Sequence, residues 1–231
     1  TQFIAGLWGP AKDKNDVWVI YFSPDDNLVF EINHPEIHLH HIDNTVVEVP
    51  AADLYDSWNH ISAVFNGSEQ TAYLYINGYL AGSARNPQYP ANRFNKLANP
   101  ELPIQVGSCN GLSDNDNNRT FRGQIDEFRM WSRVLSPDEI LCQKDRALYG
   151  EREDSLVIYY RFNDPTDQYT LCDATGNENY GKARSGASCQ NSDRRFNTTV
   201  LASPLSINDT LKCTNQKTYR FTGTDTSVCQ N

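Results

Sequence analysis

The chain has 231 residues, 39% hydrophobic and 21% charged, a globular composition long enough to bury a full-sized core without relying on disulfides. Acidic residues outnumber basic ones by 29 to 20, for a net charge of −9. This speaks against a nucleic-acid partner, because phosphate binding needs a basic face, and no apolar stretch approaches the roughly 20 residues that would insert in a membrane as a helix.

The opening TQFIAGLWGP has neither an initiator Met nor a signal-peptide layout, so the sequence reads as a mature or excised piece. Strand-like runs then recur. DVWVIYFS (16–23) is apolar and β-branched, while NLVFEIN (27–33) and TVVEV (45–49) alternate in period two. HISAVFN (60–66) and TAYLYING (71–78) flank a Gly-Ser-Glu turn and predict a hairpin. Asn77-Gly78 supplies positive φ for the tight turn that follows. PIQVGS (103–108), FRGQIDEFRMW (121–131) and SLVIYYRF (155–162) are the later strand candidates, and Gly123 inside one of them marks a bulge or a close backbone approach. Alternation with turn signals at short intervals predicts an antiparallel sandwich. Trp58 and Trp131 are large apolar anchors suited to its interior.

One helix is predicted. Ser136 is its N-cap, Pro137 its first position and Glu139 its third. It carries EILCQKDRAL, stops before Gly150, and docks through Ile140, Leu141 and Leu148. After residue 163 the chain turns rich in Asn, Asp, Thr, Ser and Gly and holds four of the six cysteines. A boundary near Pro165 therefore separates a domain over 1–165 from residues 166–231. The latter form a disulfide-containing linker or the start of a following module.

Six cysteines point to an oxidising, extracellular setting. No Cys-x-x-Cys pair suggests a metal site. Local bridges Cys172–Cys189 and Cys213–Cys229, leaving Cys109 with Cys142, are one of many connectivities open to six cysteines. Asn66, Asn118, Asn197 and Asn208 each begin a glycan-acceptor triplet, which favours the same compartment.

Three stretches, in order, resemble laminin-G-like jelly rolls of the concanavalin A-like lectin/glucanase superfamily. SWNHISAVFNGSEQTAYLYINGYLAGS (57–83) is similar to the family's Trp-x-His strand, turn, and strand ending in Tyr-x-Asn-Gly. FRGQIDEFRMWSRVLSPDEI (121–140) resembles its Phe-x-Gly-x-Ile-Asp-Glu strand with the helix start behind it. SLVIYYRFND (155–164) resembles the closing strand. The resemblance covers roughly residues 3 to 165 and implies an all-β, antiparallel two-sheet jelly roll with one short helix, plus a small Cys-containing C-terminal segment. The family's opening Phe-Asp/Asn-Gly strand has no counterpart here. Asp173-Ala174-Thr175-Gly176-Asn177 resembles the connector that follows the closing strand in tandem members.

Asp126 stands in an otherwise apolar run, where a lone carboxylate needs a partner. In similar jelly rolls the matching Asp ligates a structural calcium, so the resemblance implies Ca2+ there. The alternatives are a turn cap or a pair with Arg129 or Arg133. Asp114 and Asp116, two residues apart among asparagines, offer hard oxygen donors in one loop, yet the loop lacks the Gly and Glu of an EF-hand and reads equally as a solvated hairpin loop. HPEIHLHHID (34–43) puts His38 and His40 on one strand face, where a solvated edge is the simpler reading.

Catalysis on sugars needs two carboxylates about 5 to 9 Å apart. The superfamily's Glu-x-Asp-x-x-Glu strand is absent, as are a nucleophile elbow, a zincin motif and a phosphate loop. The expectation is thus a non-catalytic recognition and cell-adhesion module. It would bind a glycan or an extracellular protein through loops at one sandwich end, with Tyr89, Asn92, Arg93, Asn110 and Asn115 as contact groups and the long loop 85–103 as the recognition element. Neighbouring domains of the same chain are further partners. A structural spacer of an extracellular filament and, more remotely, a glycan-active enzyme are the competing readings.

Overall fold

The computed structural model describes residues 1–7, 17–32, 44–87, 103–108, 120–148, 153–162 and 170–183, together with the backbone of 209–211 and 217–219. The chain divides into two compact units, Thr1–Gly123 and Gln124–Asn231.

In chain order the first unit carries β1 (Gln2–Leu7), β2 (Trp18–Phe22), β3 (Asn27–Ile32), β4 (Thr45–Pro50), β5 (Ile61–Asn66), β6 (Thr71–Ile76), β7 (Tyr79–Arg85) and β8 (Gln105–Val106). They form a five-stranded sheet, β4-β3-β2-β1-β8, and a three-stranded sheet, β5-β6-β7. All pairings between these strands are antiparallel. The period-two pattern is visible in β4: Thr45, Val47 and Val49 are buried while Val46, Glu48 and Pro50 are exposed. Its partner strand sets Phe30 opposite Val47 and Leu28 opposite Val49, so one face is continuous apolar surface. That face meets Ala72 and Leu74 of β6 in a single core.

The two sheets come close at Gly82. A Cβ there would lie 2.8 Å from Val49 Cγ1 and 3.0 Å from Val47 Cγ1. The β6–β7 turn runs through Asn77 and Gly78 at φ 53° and 86°, the positive-φ hairpin geometry that Asn-Gly favours.

The second unit pairs β9 (Phe128–Trp131) with β10 (Leu156–Tyr160), antiparallel, around α1 (Pro137–Gln143) in the chain. Short pairs β11 (Thr170–Leu171) with β12 (Gly181–Lys182), and β13 (Asp209–Leu211) with β14 (Lys217–Tyr219), follow. Leu148, Leu156 and Tyr159 form its buried cluster, with Trp131 and Ala174 packed against it. The α1 start carries the expected capping box. Ser136 Oγ accepts from the Glu139 N–H at 3.2 Å, and Glu139 Oε2 accepts from the Ser136 N–H at 2.8 Å. Glu139 also takes a two-pronged bond from Arg133 at 2.6 and 3.1 Å.

Four sequence expectations change. Trp58 is no interior anchor; it lies before β5 and is 38% exposed, because the inner face of the sheet is already filled by Ile61, Ala63 and Phe65. The run 121–131 is strand only from Phe128: Glu127 sits at φ 55°, which breaks the extended backbone. Gly123 accordingly lies outside the strand, and a Cβ there would meet the Phe121 ring at 2.8 Å. The helix ends at Gln143 instead of reaching Leu148. There the Arg129 guanidinium, not a further helical turn, satisfies the carbonyls of Gln143 and Arg146. Leu141 is exposed, while Ile140 and Leu148 are buried as expected.

The boundary expected near Pro165 falls among residues 163–169, outside the described residues. Beyond it, Thr170–Lys182 includes groups hydrogen-bonded to β10.

Replacing Gly82 with Ala should cost about 1–3 kcal/mol by overpacking, since valine side chains are stiff. Chemical denaturation measures this, and Gly82→Ala combined with Val49→Ala should recover part of the loss. An unchanged midpoint for the single variant would contradict the close approach. The Arg133 bonds, more than the cap, hold the Glu139 carboxyl down to about 2. A lowered folded value stabilises above the ordinary carboxylate range and is lost as pH falls through about 2. The Glu139→Gln chain should therefore lose less stability than the parent as pH falls from about 5 to about 2, as read by thermal melts.

Candidate functional site

Two groups of side chains bear on function, one interior and one exposed. The interior group surrounds the Asp126-Glu127 pair that precedes β9. Asp126 is half-buried, and its Oδ1 accepts from the Glu127 N–H at 3.0 Å. Of the Arg partners anticipated for it, Arg129 pairs with Glu127 and Arg133 with Glu139.

Glu127 is the residue that reading the sequence overlooked. Its side chain is 5% exposed. Its Oε2 accepts from Arg129 Nη2 at 2.6 Å and from the Tyr159 hydroxyl at 2.5 Å. Oε1 has no hydrogen-bond partner among the described residues. Tyr159 is fully buried, and the guanidinium carbons of Arg129 and Arg161 lie 5.1 and 5.0 Å from its ring centre. Burial, the largest influence, pushes the Tyr159 hydroxyl above its ordinary range, and Glu127 adds to the rise against the opposing pull of Arg129. Arg161 Nη2 donates to the Leu148 carbonyl at 2.6 Å, and the Leu148 N–H donates to Tyr159 Oη at 3.1 Å. The cluster thus fastens the segment after α1 to β9 and β10. The available signal was the alternation Glu127, Arg129 on one strand side opposite Tyr159 and Arg161.

Asp173 closes the same region. It is buried, and Oδ1 accepts from the N–H of Tyr159 (3.1 Å), the N–H of Thr175 (3.1 Å) and Thr175 Oγ1 (2.8 Å). Its Oδ2 accepts from the Asn179 N–H at 3.1 Å. Asn177 and Asn179 amides donate to the Val157 carbonyl. Both buried acids, Glu127 and Asp173, therefore accept hydrogen bonds from donors of the chain itself.

The exposed group lies at one end of the three-stranded sheet. Asn77 Oδ1 accepts from the His60 N–H at 3.0 Å, Asn77 Nδ2 donates to Asn59 Oδ1 at 2.9 Å, and Asn59 Nδ2 donates to the Leu54 carbonyl at 3.0 Å. These amides knit the loop before β5 to the β6–β7 turn. The corner carries Trp58, Tyr79 and Leu80 at 38%, 69% and 55% exposure. Large exposed aromatics on a braced frame suit recognition, not folding.

Other anticipated site residues lie outside the described residues: Asp114 and Asp116, the contact groups Tyr89, Asn92, Arg93, Asn110 and Asn115, the acceptors Asn118, Asn197 and Asn208, Cys109, Cys189, Cys213 and Cys229, and the 34–41 histidines. Cys142 and Cys172 are each disulfide-bonded. Among the described residues no three His, Cys, Asp or Glu side chains gather as a metal site. A calcium ion takes about six to eight oxygens, and of the acids expected to hold one, the described residues contain Asp126 alone.

Residues 1–141 match the Laminin_G_3 family, described as the Concanavalin A-like lectin/glucanases superfamily. Serum amyloid P-component of Bos taurus is 30% identical over 123 residues, 53% of this chain and 52% of that protein. The chain therefore spans about half the length of this relative. The solved structure of a protein from Bacteroides ovatus described as carbohydrate binding superposes with a TM-score of 0.52 at 17% identity, over 78% of this chain and 46% of that one; this likeness is one of fold.

Glu127→Ala strands Arg129 in the interior and should cost about 3–5 kcal/mol. Tyr159→Phe, which only removes a hydroxyl, should cost about 1–3 kcal/mol. Urea midpoints of the two variants check both values, and a near-neutral Glu127→Ala would mean that the pair is not buried in solution.

Proposed function

As a member of the Concanavalin A-like lectin/glucanases superfamily, this chain, we propose, is a non-catalytic recognition or adhesion module of a secreted or surface multidomain protein, with a glycan as its first partner class and an extracellular protein as its second. One observation carries the reading: Trp58 and Tyr79 stand exposed on a corner held by the Asn59–Asn77 amide pair, whereas the buried acids serve the fold. Aromatic faces stack on the apolar C–H faces of sugar rings, and amides at the rim supply hydrogen bonds. The loop residues Tyr89, Asn92, Arg93, Asn110 and Asn115 are further contact groups in this proposal.

The extracellular setting is supported by the bonded state of Cys142 and Cys172 and by the serum origin in the relative's name. The bridges Cys172–Cys189, Cys213–Cys229 and Cys109–Cys142, and glycans on Asn118, Asn197 and Asn208, belong to this reading. So does calcium, with Asp126 as one carboxylate ligand and Asp114 and Asp116 as a second oxygen set; bound there, the ion supplies charge neutralisation and loop order. A domain over 1–165 followed by a linker or module over 166–231 completes it.

Binding to a glycan array, with and without chelator, tests the proposal. Tyr79→Ala should weaken a positive interaction about tenfold or more, equivalent to about 1.4 kcal/mol, at unchanged melting temperature. Chelation should lower both melting temperature and binding. An array that stays blank while the fold is intact favours the structural spacer. Sugar hydrolysis lost on Asp or Glu substitution would instead establish a glycan-active enzyme.

A further inference from the structure

The hairpin tip between β5 and β6 carries Asn66-Gly67-Ser68, and its geometry singles this triplet out. Ile61, Ala63 and Phe65 of β5 pack into the core, so strand alternation turns Ser62, Val64 and Asn66 to the outer face. At the tip, Asn66 Oδ1 accepts from the Ser68 N–H at 3.1 Å, Ser68 Oγ at 2.7 Å and the Glu69 N–H at 3.4 Å. Those three bonds orient the amide. Its Nδ2 donates to no acceptor among the described residues. Ser68 and Glu69 are exposed beside it.

The tip is braced independently of that nitrogen. The Glu69 carbonyl accepts from Thr71 Oγ1 at 2.9 Å and from Arg85 Nε at 3.3 Å. Glu69 Oε2 accepts from the Tyr73 hydroxyl at 2.5 Å, and Gln70 Nε2 donates to the Pro87 carbonyl at 3.1 Å. An N-linked substituent keeps the amide oxygen and every one of these bonds.

We propose that Asn66 is a glycosylation site that the folded hairpin accommodates without rearrangement, its sugar projecting from the outer face at the end of the sheet away from Tyr79. Asn66 Nδ2 attacks the anomeric carbon of an oligosaccharide carried on a lipid diphosphate. The C–N bond forms as the carbon–oxygen bond to the diphosphate breaks. The diphosphate leaves with the electron pair, and one Nδ2 proton passes to base. The Ser68 hydroxyl, already bonded to Oδ1, is the group the triplet contributes. Strand β6 has six residues, so at about 3.3 Å each the sugar sits about 20 Å from the Asn77–Gly78 turn and leaves the recognition corner open.

This inference rests on the extracellular reading. The full chain is secreted from a eukaryotic cell behind a leader, and the Asn66 peptide is weighed before and after amidase removal of N-glycans. The expected result is an occupied Asn66, lost in Ser68→Ala, kept in Ser68→Thr, and a melting temperature unchanged by deglycosylation. Asn66 recovered bare overturns the site, whether or not the other triplets are occupied, as does a melting temperature that shifts on deglycosylation. Occupied Asn66 with a blank glycan array leaves the site standing and removes the ligand proposal.

Discussion

The packing of Val47 and Val49 onto Gly82 is the constraint on which the first unit depends. Two antiparallel sheets can bury their inner faces only if side chains from one enter space left by the other. The valines project from β4 and the glycine of β7 leaves the room. Phe30, Leu28, Ala72 and Leu74 then close the layer around this contact. The core is a β-sandwich interior built from alternation, and its apolar partners are mostly aliphatic. Trp58 is peripheral to it, as its exposure shows.

A different problem is solved in the second unit. Charged and hydroxyl groups are buried there, and each needs partners to offset its desolvation. Glu127, Arg129, Tyr159, Arg161 and Asp173 do this by binding one another and the backbone, although Glu127 Oε1, Arg129 Nε and Arg161 Nε have no hydrogen-bond partner among the described residues. The result stops α1 after Gln143, positions the segment that follows, and ties residues near Asp173 to β10. Glu127 and Asp173 take their donors from the chain itself.

This division of labour bears on function. Recognition needs groups that reach solvent from a frame that does not yield. The Asn59–Asn77 lock provides such a frame beside Trp58 and Tyr79. The opposite end of the same sheet is braced through Glu69 and presents Asn66. On the reading proposed above, one end of the three-stranded sheet takes the ligand and the other the covalent sugar.

By itself the sequence determined the element types and the fold class. Period-two runs such as TVVEV, the positive-φ pair Asn77-Gly78, and the Ser136–Glu139 capping box are local devices whose geometry follows from a few adjacent residues, and each forms as read. Local pattern could not decide which acid is buried, where a strand yields to a turn, or which aromatic faces water. Asp126 and Glu127 are neighbours of the same chemistry, and only the presence of Arg129 and Tyr159 across the β9–β10 pair makes Glu127 the interior one. Those contacts span up to 32 residues of chain, and burial is a property of the partners brought together by folding, which no short stretch of sequence contains.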